Sequence, residues 1–243
     1  MRSLILIAAL LAAPAMARDP VKGYLPPAQV KALLRQIPEP PAPGSAADRI
    51  DRQRYAQAAS GIGNAAWQRA IGQISVNSSS YRRQMSCAVG VTIGPKTTPA
   101  VAAVLDRAAA DARIVVGLGK DYFQRDRPFT TDAGRTCDPQ SARDGGVRLG
   151  YSYPSGHATA GQLWGMILAD MLPAQRAPAL AFGKATGDLR VTCRVHWQSD
   201  IVAGQQLAAT LYKRIAAQPA YRADLARARA ELATSPPPRD CRD

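Results

Sequence analysis

The sequence predicts an all-α protein built as a single helical domain. Apolar residues recur at helical spacing in several segments, and Val101, Leu105, Ala108 and Ala112 are one such series, because residues at this period share one helix face. The alternation of β-branched and aromatic residues with polar ones that is typical of strands is nearly absent. With 47% hydrophobic and 20% charged residues, the chain can bury a sizeable core and is not of the disordered class.

Local start and stop signals divide the chain into predicted elements. Thr98 followed by Pro99 is a favourable helix start, with a hydroxyl cap and a proline in the first turn. Glycine and proline residues are frequent between the two central helices and predict a long loop there. The predicted helices cover residues 46–74 with a break near 61–63, 98–125, 155–172, 176–188, 197–216 and 219–233, and the predicted loops cover 76–80 and 128–152.

The N-terminal residues predict export. Residues 1–17 combine Arg2, an apolar run and the small-x-small site Ala15-Met16-Ala17, which is typical of a cleaved signal peptide. The apolar run is shorter than the roughly 20 residues that span a bilayer, and a buried N-terminal helix is the alternative. Residues 18–45 are predicted to be a proline-rich arm that wraps the body or stays mobile, and residues 46–243 the helical domain. We therefore expect a periplasmic protein without a membrane span.

Charge and cysteine content narrow the function classes. The formal net charge of +13 favours anionic ligands, but it is spread along the chain without the lysine and arginine runs of nucleic-acid binders, and much of it could be solvated helix surface. Four cysteines without a C-x-x-C pattern predict two disulfides in an exported protein, in one of three pairings. A zinc site is not expected, because the two histidines lie 39 residues apart in the sequence without clustered ligands.

The first polar cluster is the segment KDYFQRDRP, from Lys120 to Pro128. Lys120 and Arg127 are seven residues apart, which returns to nearly the same helix face, and Pro128 disfavours helical geometry at Arg127. Two cations on one face could hold a multiply charged oxyanion. The alternative is a solvated basic helix end.

The second cluster is PSGH, residues 154–157, at the start of a predicted helix. Backbone N–H groups in the first turn of a helix have no intrahelical partner and form a cradle for anions. Gly156 would let a ligand approach closely, the Ser155 hydroxyl would add a donor, and His157 could place a ring nitrogen over the anion. The alternative is an ordinary helix cap with a hydrogen-bonded histidine.

The third cluster is RVTCRVHWQSD, residues 190–200. His196 and Asp200 stand at i and i+4 and are neighbours on a helix surface if the helix includes His196. A carboxylate bound to one imidazole nitrogen leaves the other nitrogen free as base, nucleophile or ligand. Arg190 adds a third cation, and a surface His–Asp pair is the alternative.

In chain order, the patterns K-x6-R-P, P-S-G-H and R-x5-H-x3-D resemble the three-part signature of the type 2 phosphatidic acid phosphatase (PAP2) superfamily, which also includes vanadium haloperoxidases. The segments RDRPF, SYPSGH and HWQSD make the chain most similar to the bacterial class A non-specific acid phosphatases, over about residues 85–215. The resemblance implies a helical bundle of the acid phosphatase/vanadium haloperoxidase type. It also implies a metal-independent phosphomonoesterase that works through a phosphohistidine.

The resemblance implies a role for each matching residue. His196 would attack phosphorus, Asp200 would orient it, and His157 would protonate the leaving group and then activate water. The phosphate would be bound by Lys120, Arg127, Arg190, the Ser155 hydroxyl and the Gly156 N–H. No metal and no cofactor are expected.

These observations predict an exported acid phosphatase of broad specificity for small phosphomonoesters. Phosphotransferase activity is a further expectation, and phosphate, vanadate and similar oxyanions are expected to inhibit the enzyme. A vanadate-dependent haloperoxidase and a non-catalytic phosphate- or anion-binding envelope protein are the alternatives. No nucleic-acid polymer is expected as a partner, and the oligomeric state stays open, with a homo-oligomer among the alternatives. Substrate choice is expected to depend on walls formed by the 128–152 loop and the N-terminal arm.

Two further expectations concern residues beside the motifs. Cys87 and Cys137 flank the first motif's helix and its following loop, so we expect them to pair and leave Cys193 for Cys241. Arg194 stands where the family often has glycine. Its guanidinium could contact polyphosphorylated substrates or face solvent, and we expect the latter.

Overall fold

The computed structural model describes residues 21–132, 134–143, 145 and 147–241, and within these ranges every regular element is helical. The fold class predicted from the sequence is therefore confirmed. None of the helices in this part of the chain is both long and apolar enough to span a bilayer. The α-helices are α1 (Pro27–Ala32), α2 (Ala46–Gln57), α3 (Ala65–Gly72), α4 (Ser79–Val89), α5 (Pro99–Phe123), α6 (Pro128–Thr131), α7 (Pro139–Arg143), α8 (Gly156–Met171), α9 (Arg176–Thr192), α10 (Gln198–Ala216) and α11 (Pro219–Leu232).

The helix starts depend partly on residues that are distant in the sequence. At α5 the Thr98 side chain does not cap the helix, contrary to the prediction, because its hydroxyl binds the backbone of Gly94. The carboxylate of Glu231 in α11 instead accepts from the N–H groups of Ala100 and Val101, at 3.2 and 3.0 Å. Helix α4 was not predicted and begins inside the expected 76–80 loop. Helices α6 and α7 lie inside the expected 128–152 loop.

The core forms where α8 packs against α5, α9 and α10. Glycines let α8 and α9 approach closely: a Cβ on Gly165 would lie 2.8 Å from the carbonyl oxygen of Ala179, and one on Gly183 would lie 2.5 Å from that of Gly161. Side chains at these positions would therefore force the two helices apart. Because the helices run antiparallel, the start of α8 lies beside the end of α9, which carries Arg190.

The described part of the N-terminal arm, which begins at residue 21, wraps the body. Helix α1 and the 3₁₀ turn that follows it bury Val30 and Leu33 in the main core. Arg107 of α5 stacks on the Tyr24 ring at 4.0 Å and donates to Asp224 of α11. Tyr24 also donates its hydroxyl proton to Asp224 at 2.9 Å, so the arm contacts both helices. The proposed signal peptide, residues 1–17, lies outside the described residues.

Replacing Asp111 by alanine is expected to destabilise the protein by about 2–4 kcal/mol. Asp111 is 1% exposed, and its Oδ2 accepts from the backbone N–H groups of Tyr24 and Leu25 at 2.8 and 3.2 Å. The alanine would leave two buried donors without partners. Denaturant unfolding measures the change, with Asp111→Asn as the matched variant because its amide oxygen still accepts hydrogen bonds. An alanine variant as stable as the wild type would contradict this assignment.

The two disulfides join different cysteines from those predicted. Cys87 pairs with Cys241 and Cys137 pairs with Cys193, so the expected Cys87–Cys137 and Cys193–Cys241 pairing is wrong. The backbone N–H of Cys137 donates to the carbonyl oxygen of Cys193 at 3.0 Å, which shows that the loop after α6 folds back onto the third motif. The C-terminal tail instead crosses to α4, where Arg83 donates to the Asp240 carbonyl.

Candidate active site

Two helix N-termini meet and bring the second and third motifs together. At the start of α8, Ser155 Oγ accepts from the N–H of Ala158 at 3.3 Å. At the start of α10, Asp200 Oδ2 accepts from the N–H of Trp197 at 2.9 Å. The two starts are joined directly, because the Ser155 N–H donates to the Asp200 carbonyl oxygen at 3.0 Å. The positive ends of two helix dipoles therefore face the same region.

His196 is bound to Asp200 at 3.0 Å, from Nδ1 to Oδ2. Helix α10 begins only at Gln198, so the pair is formed by a residue before the helix and a residue in its first turn, and not by two residues on a helix face. Since a carboxylate accepts, Nδ1 carries the proton and Nε2 keeps its lone pair. Nε2 lies 3.3 Å from Nη1 of Arg127. The nitrogen that is free to react therefore points at the cations.

The electrostatic surroundings keep His196 neutral. Burial, reinforced by the charges of Arg127 and Lys120, lowers the pKa of His196 well below its usual value. Burial also raises the pKa of Asp200 to about 6, and Arg125 opposes that rise. A neutral imidazole is the form that can act as a nucleophile.

His157 lies in the first turn of α8, with its Nε2 3.1 Å from the carbonyl oxygen of Ile74. A carbonyl only accepts, so Nε2 carries a proton and Nδ1 is the nitrogen available to a ligand. Burial, together with the charge of Arg190, lowers the pKa of His157 well below its usual value. An anion bound among these groups would act in the opposite direction.

The first motif supplies two cations. Lys120 lies in the last turn of α5, and burial, with the neighbouring Arg127, lowers the pKa of Lys120 to about 8. Arg127 is 5% exposed and donates to four backbone carbonyls, those of Val195, Gly150, Leu149 and Tyr151, at 2.7, 2.8, 2.8 and 3.4 Å. Burial lowers the pKa of Arg127 to about 10. The carbonyls fix the direction of its guanidinium.

Arg190 supplies the third cation from α9 and is 1% exposed. Its Nη2 donates to the Ala70 carbonyl at 2.7 Å, and its buried Nε has no hydrogen-bond partner. Burial lowers the pKa of Arg190 to about 10. Among the described residues, none of the three cations forms an ion pair with a carboxylate. Asp138 and Asp200 act on these charges only from beyond ion-pair distance, so the arrangement favours a bound anion that pairs with the cations directly.

The structure brings all eight predicted site residues to this region. The three cations act on one or both histidine rings, and Ser155 and Gly156 form the start of α8. The Ser155 hydroxyl accepts from a backbone N–H and still has its own proton to donate. A Cβ on Gly156 would contact only Val116, at 3.6 Å, so the glycine leaves the adjoining space open.

The sequence analysis missed Arg125, which holds Asp200. Its Nη1 donates to Asp200 Oδ1 at 2.7 Å and its Nη2 to Asp51 Oδ2 at 2.8 Å. The chain leaves α5 at Phe123 and carries no helical bonds at 125–127, so Arg125 and Arg127, two residues apart, point the same way. That spacing was a usable signal for Arg125. Asp51 lies in α2, far away in the sequence, and no local pattern indicated it.

Arg194 is buried, contrary to the prediction that it faces solvent. It is 6% exposed, its guanidinium lies 4.1 Å from the centre of the Tyr55 ring, and it donates to the Arg135 carbonyl at 3.2 Å. Its backbone is left-handed, with φ of 62°, which is a conformation that favours glycine. The backbone geometry therefore explains the family's frequent glycine at this position, and the stacking on Tyr55 explains how an arginine is accommodated.

A cavity of ≈ 290 Å³ opens beside the site and is lined by Lys120, Gly156 and His157. Its other walls come from α5, α8 and residues 76–77. The 128–152 loop and the arm, which were expected to form the walls, are not among these residues. The loop instead supplies the carbonyls of Leu149 and Gly150 that hold Arg127.

Comparisons with known proteins show which sequences this chain is similar to. Residues 101–224 match the sequence model of the PAP2 superfamily. The chain is 33% identical over 198 residues to a Salmonella typhimurium protein named non-specific acid phosphatase, covering 81% of this chain and 78% of that protein. It is 30% identical over 199 residues to a Zymomonas mobilis acid phosphatase, covering 82% of this chain and 75% of that protein. It is 27% identical over 211 residues to a Providencia stuartii non-specific acid phosphatase, covering 86% of this chain and 84% of that protein.

Proposed function

This chain belongs to the PAP2 superfamily, and we propose that it is an exported, metal-independent acid phosphatase that hydrolyses phosphate monoesters through a phosphohistidine. The observation that carries the proposal is the set of cations without carboxylate partners, Lys120, Arg127 and Arg190, around two histidines that are neutral in the free site. The relatives that match most of the chain are named acid phosphatases, which supports the type of reaction.

In the first step, Nε2 of His196 attacks phosphorus while the three cations, the Ser155 hydroxyl and the Gly156 N–H bind the phosphoryl oxygens. A P–N bond forms and the P–O bond to the alcohol breaks. Nδ1 of His157, which takes up a proton when the phosphate dianion binds beside it, gives that proton to the departing oxygen. Asp200, bound to Nδ1 of His196, stabilises the positive charge that develops on the ring.

In the second step, water attacks the phosphohistidine. Nδ1 of His157, now neutral, takes a proton from the water, the P–N bond breaks, and inorganic phosphate leaves with His196 neutral again. An alcohol in place of water would receive the phosphoryl group, which is the phosphotransferase activity that we include in the proposal. The cradle contacts only the phosphoryl group, and this supports broad specificity.

Metal independence and export rest on separate features. Phosphoryl transfer requires positioning and charge stabilisation, and three cations with helix-start N–H groups can supply both. Two features support export. One is the proposed signal peptide, and the other is the pair of disulfides, which are typical of an oxidising compartment such as the periplasm.

The chain from residue 18 onwards is expected to release phosphate from p-nitrophenyl phosphate at mildly acidic pH, at the same rate with and without EDTA. Arg190→Gln should lower kcat/KM by roughly 10²–10³-fold, because it removes a charge from the cradle. Lys184→Gln is the matched control, since Lys184 is an exposed cation of the same helix. Loss of activity in EDTA would contradict metal independence. Vanadate-dependent bromide oxidation without phosphatase activity would favour the haloperoxidase, and phosphate binding without turnover would favour a binding protein.

Oxyanion binding is expected to strengthen as the pH falls. In the free site the pKa of His157 is lowered, and a bound dianion raises it, so binding takes up a proton and affinity increases by up to about tenfold per pH unit. On the alkaline side, Lys120, with a pKa of about 8, loses its charge and binding weakens further. Inhibition constants for sulfate, which stays a dianion throughout, measure this dependence. In the His157→Asn variant the inhibition constant should change less steeply with pH on the acidic side. Inhibition that strengthens with rising pH would contradict the expected direction.

A further inference from the structure

The cavity beside the active site lies on one side of the proposed reaction. His157 and Lys120 line it, whereas His196, Arg127 and Arg190 do not. In an in-line displacement the nucleophile and the leaving oxygen are on opposite sides of phosphorus. His196 is the nucleophile and His157 the acid in the proposed function, so the cavity on the His157 side is the compartment that receives the leaving alcohol.

The walls of this compartment are mostly apolar. Alanines and Val116 of α5 form one wall, and Ala160 and Trp164 of α8 form another. A volume of ≈ 290 Å³ corresponds to about ten water molecules, so a body of about six carbons with its substituents fits. Such walls favour a compact alcohol with little charge in its middle.

The far part of the compartment carries one guanidinium, that of Arg113. Helix α5 presents Lys120 and Arg113 to the same cavity, and the two residues are seven positions apart, which is two turns or about 10.5 Å along the helix axis. Arg113 is exposed, and within the described residues it forms no hydrogen bond or ion pair. Its charge is therefore available to a ligand that starts at Lys120 and extends along α5.

The charge pattern of α5 limits how far such a ligand extends. Asp106 stands a further seven residues towards the start of the helix, on the same face, and lines the small cavity next to the compartment. Arg82 of α4 lines the same small cavity, and both Arg113 and Arg82 act on the Asp106 carboxylate, so only the α5 face opposes an anion that reaches beyond Arg113. This face of α5 therefore carries Lys120 at the reacting phosphate, Arg113 two turns away, and Asp106 two turns further.

We propose that Arg113 selects phosphate monoesters whose alcohol carries a second anionic group, about two helix turns from the reacting phosphorus. The chemical class is a bis-anionic ester with a short neutral body, such as a six-carbon diol or sugar bisphosphate. The inference rests on the proposed function, because it assigns the leaving-group side from the roles of His157 and His196. Hydrolysis breaks one P–O bond, and the products are inorganic phosphate and the monophosphate of the alcohol, whose remaining phosphate is held by Arg113.

The test compares kcat/KM for 1,6-hexanediol bisphosphate with that for hexyl phosphate, since the two differ only in the distal phosphate. After division by two for the equivalent phosphates, the wild type is expected to prefer the bisphosphate by about 5- to 30-fold, the range for one charge-assisted contact that is partly exposed. Arg113→Gln should reduce that ratio to near one, Arg113→Lys should keep part of it, and Lys184→Gln, a cation outside the compartment, should keep all of it. The preference should also decline with added salt.

The outcomes separate this inference from the proposed function. If p-nitrophenyl phosphate is hydrolysed but the wild type shows no preference, or if Arg113→Gln keeps the wild-type ratio, the assignment of Arg113 is overturned and the phosphatase proposal stands. If no ester is hydrolysed, the proposed function fails and takes this inference with it. A preference that is just as large for 1,3-propanediol bisphosphate would overturn the two-turn spacing, because that diol is too short to reach both cations.

Discussion

Replacing His196 by alanine is expected to lower kcat by roughly 10⁴-fold or more, because it removes the nucleophile of the proposed reaction. The imidazole is 3% exposed, its Nδ1 is held by Asp200 at 3.0 Å, and its Nε2 faces Arg127 at 3.3 Å. His157 also has a free ring nitrogen, but its other nitrogen is held by a backbone carbonyl and not by a carboxylate that would stabilise the charge formed on attack. Phosphate release and mass spectrometry of the alkali-quenched enzyme measure the loss of turnover and of the phosphohistidine.

The control for this prediction is Asp200→Asn, which keeps the imidazole and alters the group that fixes its tautomer. It should lower kcat by about 10²–10⁴-fold while still allowing a phosphohistidine to form. Thermal unfolding shows whether each variant keeps its fold. A folded His196→Ala enzyme with wild-type turnover would exclude His196 as the nucleophile.

Replacing His157 by alanine is expected to have an effect that depends on the leaving group. An alkoxide needs a proton in order to leave, so kcat/KM for an alkyl phosphate should fall by about 10²–10⁴-fold. p-Nitrophenolate leaves without a proton, so kcat/KM for that ester should change far less. The relevant nitrogen is Nδ1, because Nε2 is bound to the Ile74 carbonyl at 3.1 Å.

The same variant also tests the second proposed role of His157. Without a base to activate water, the phosphohistidine should break down slowly, and rapid mixing with p-nitrophenyl phosphate should show a burst of p-nitrophenol equal to the enzyme concentration. Equal losses of kcat/KM for the alkyl and aryl esters would exclude His157 as the acid. Absence of the burst, with slow steady turnover, would exclude it as the base.

The elements that depend on local patterns were predictable. The start of α5 follows from Pro99 in its first turn and the start of α8 from Ser155 and Gly156, and the observed helices begin at Pro99 and Gly156. The candidate site was predictable for a related reason. Each motif places its residues within a few positions of a helix end, two of the motifs joining the end of one helix to the start of the next, and helix ends have unpaired backbone groups wherever they lie in the fold.

Contacts between distant segments were not predictable. The predicted disulfides joined cysteines that flank the same motif, yet Cys137 pairs with Cys193 across a loop that folds back on the third motif, and Cys87 pairs with Cys241 at the far end of the chain. Likewise, Glu231 and not Thr98 caps α5. The path of a loop, the pairing of cysteines and the residue that caps a distant helix depend on which surfaces pack together. No pattern among neighbouring residues of a single sequence contains that information.

The sequence by itself determined the helical class and which residues gather at the candidate site, since hydrophobic period and motif composition are properties of neighbouring residues. Only the tertiary structure decided how that chemistry is held. It placed Arg125 between Asp200 and Asp51, buried Arg194 on Tyr55, and laid one face of α5 along the leaving-group compartment. The reason is physical: burial and the distance between charges set the pKa values and the binding preferences of these side chains, and both are fixed only when helices from distant parts of the chain pack together.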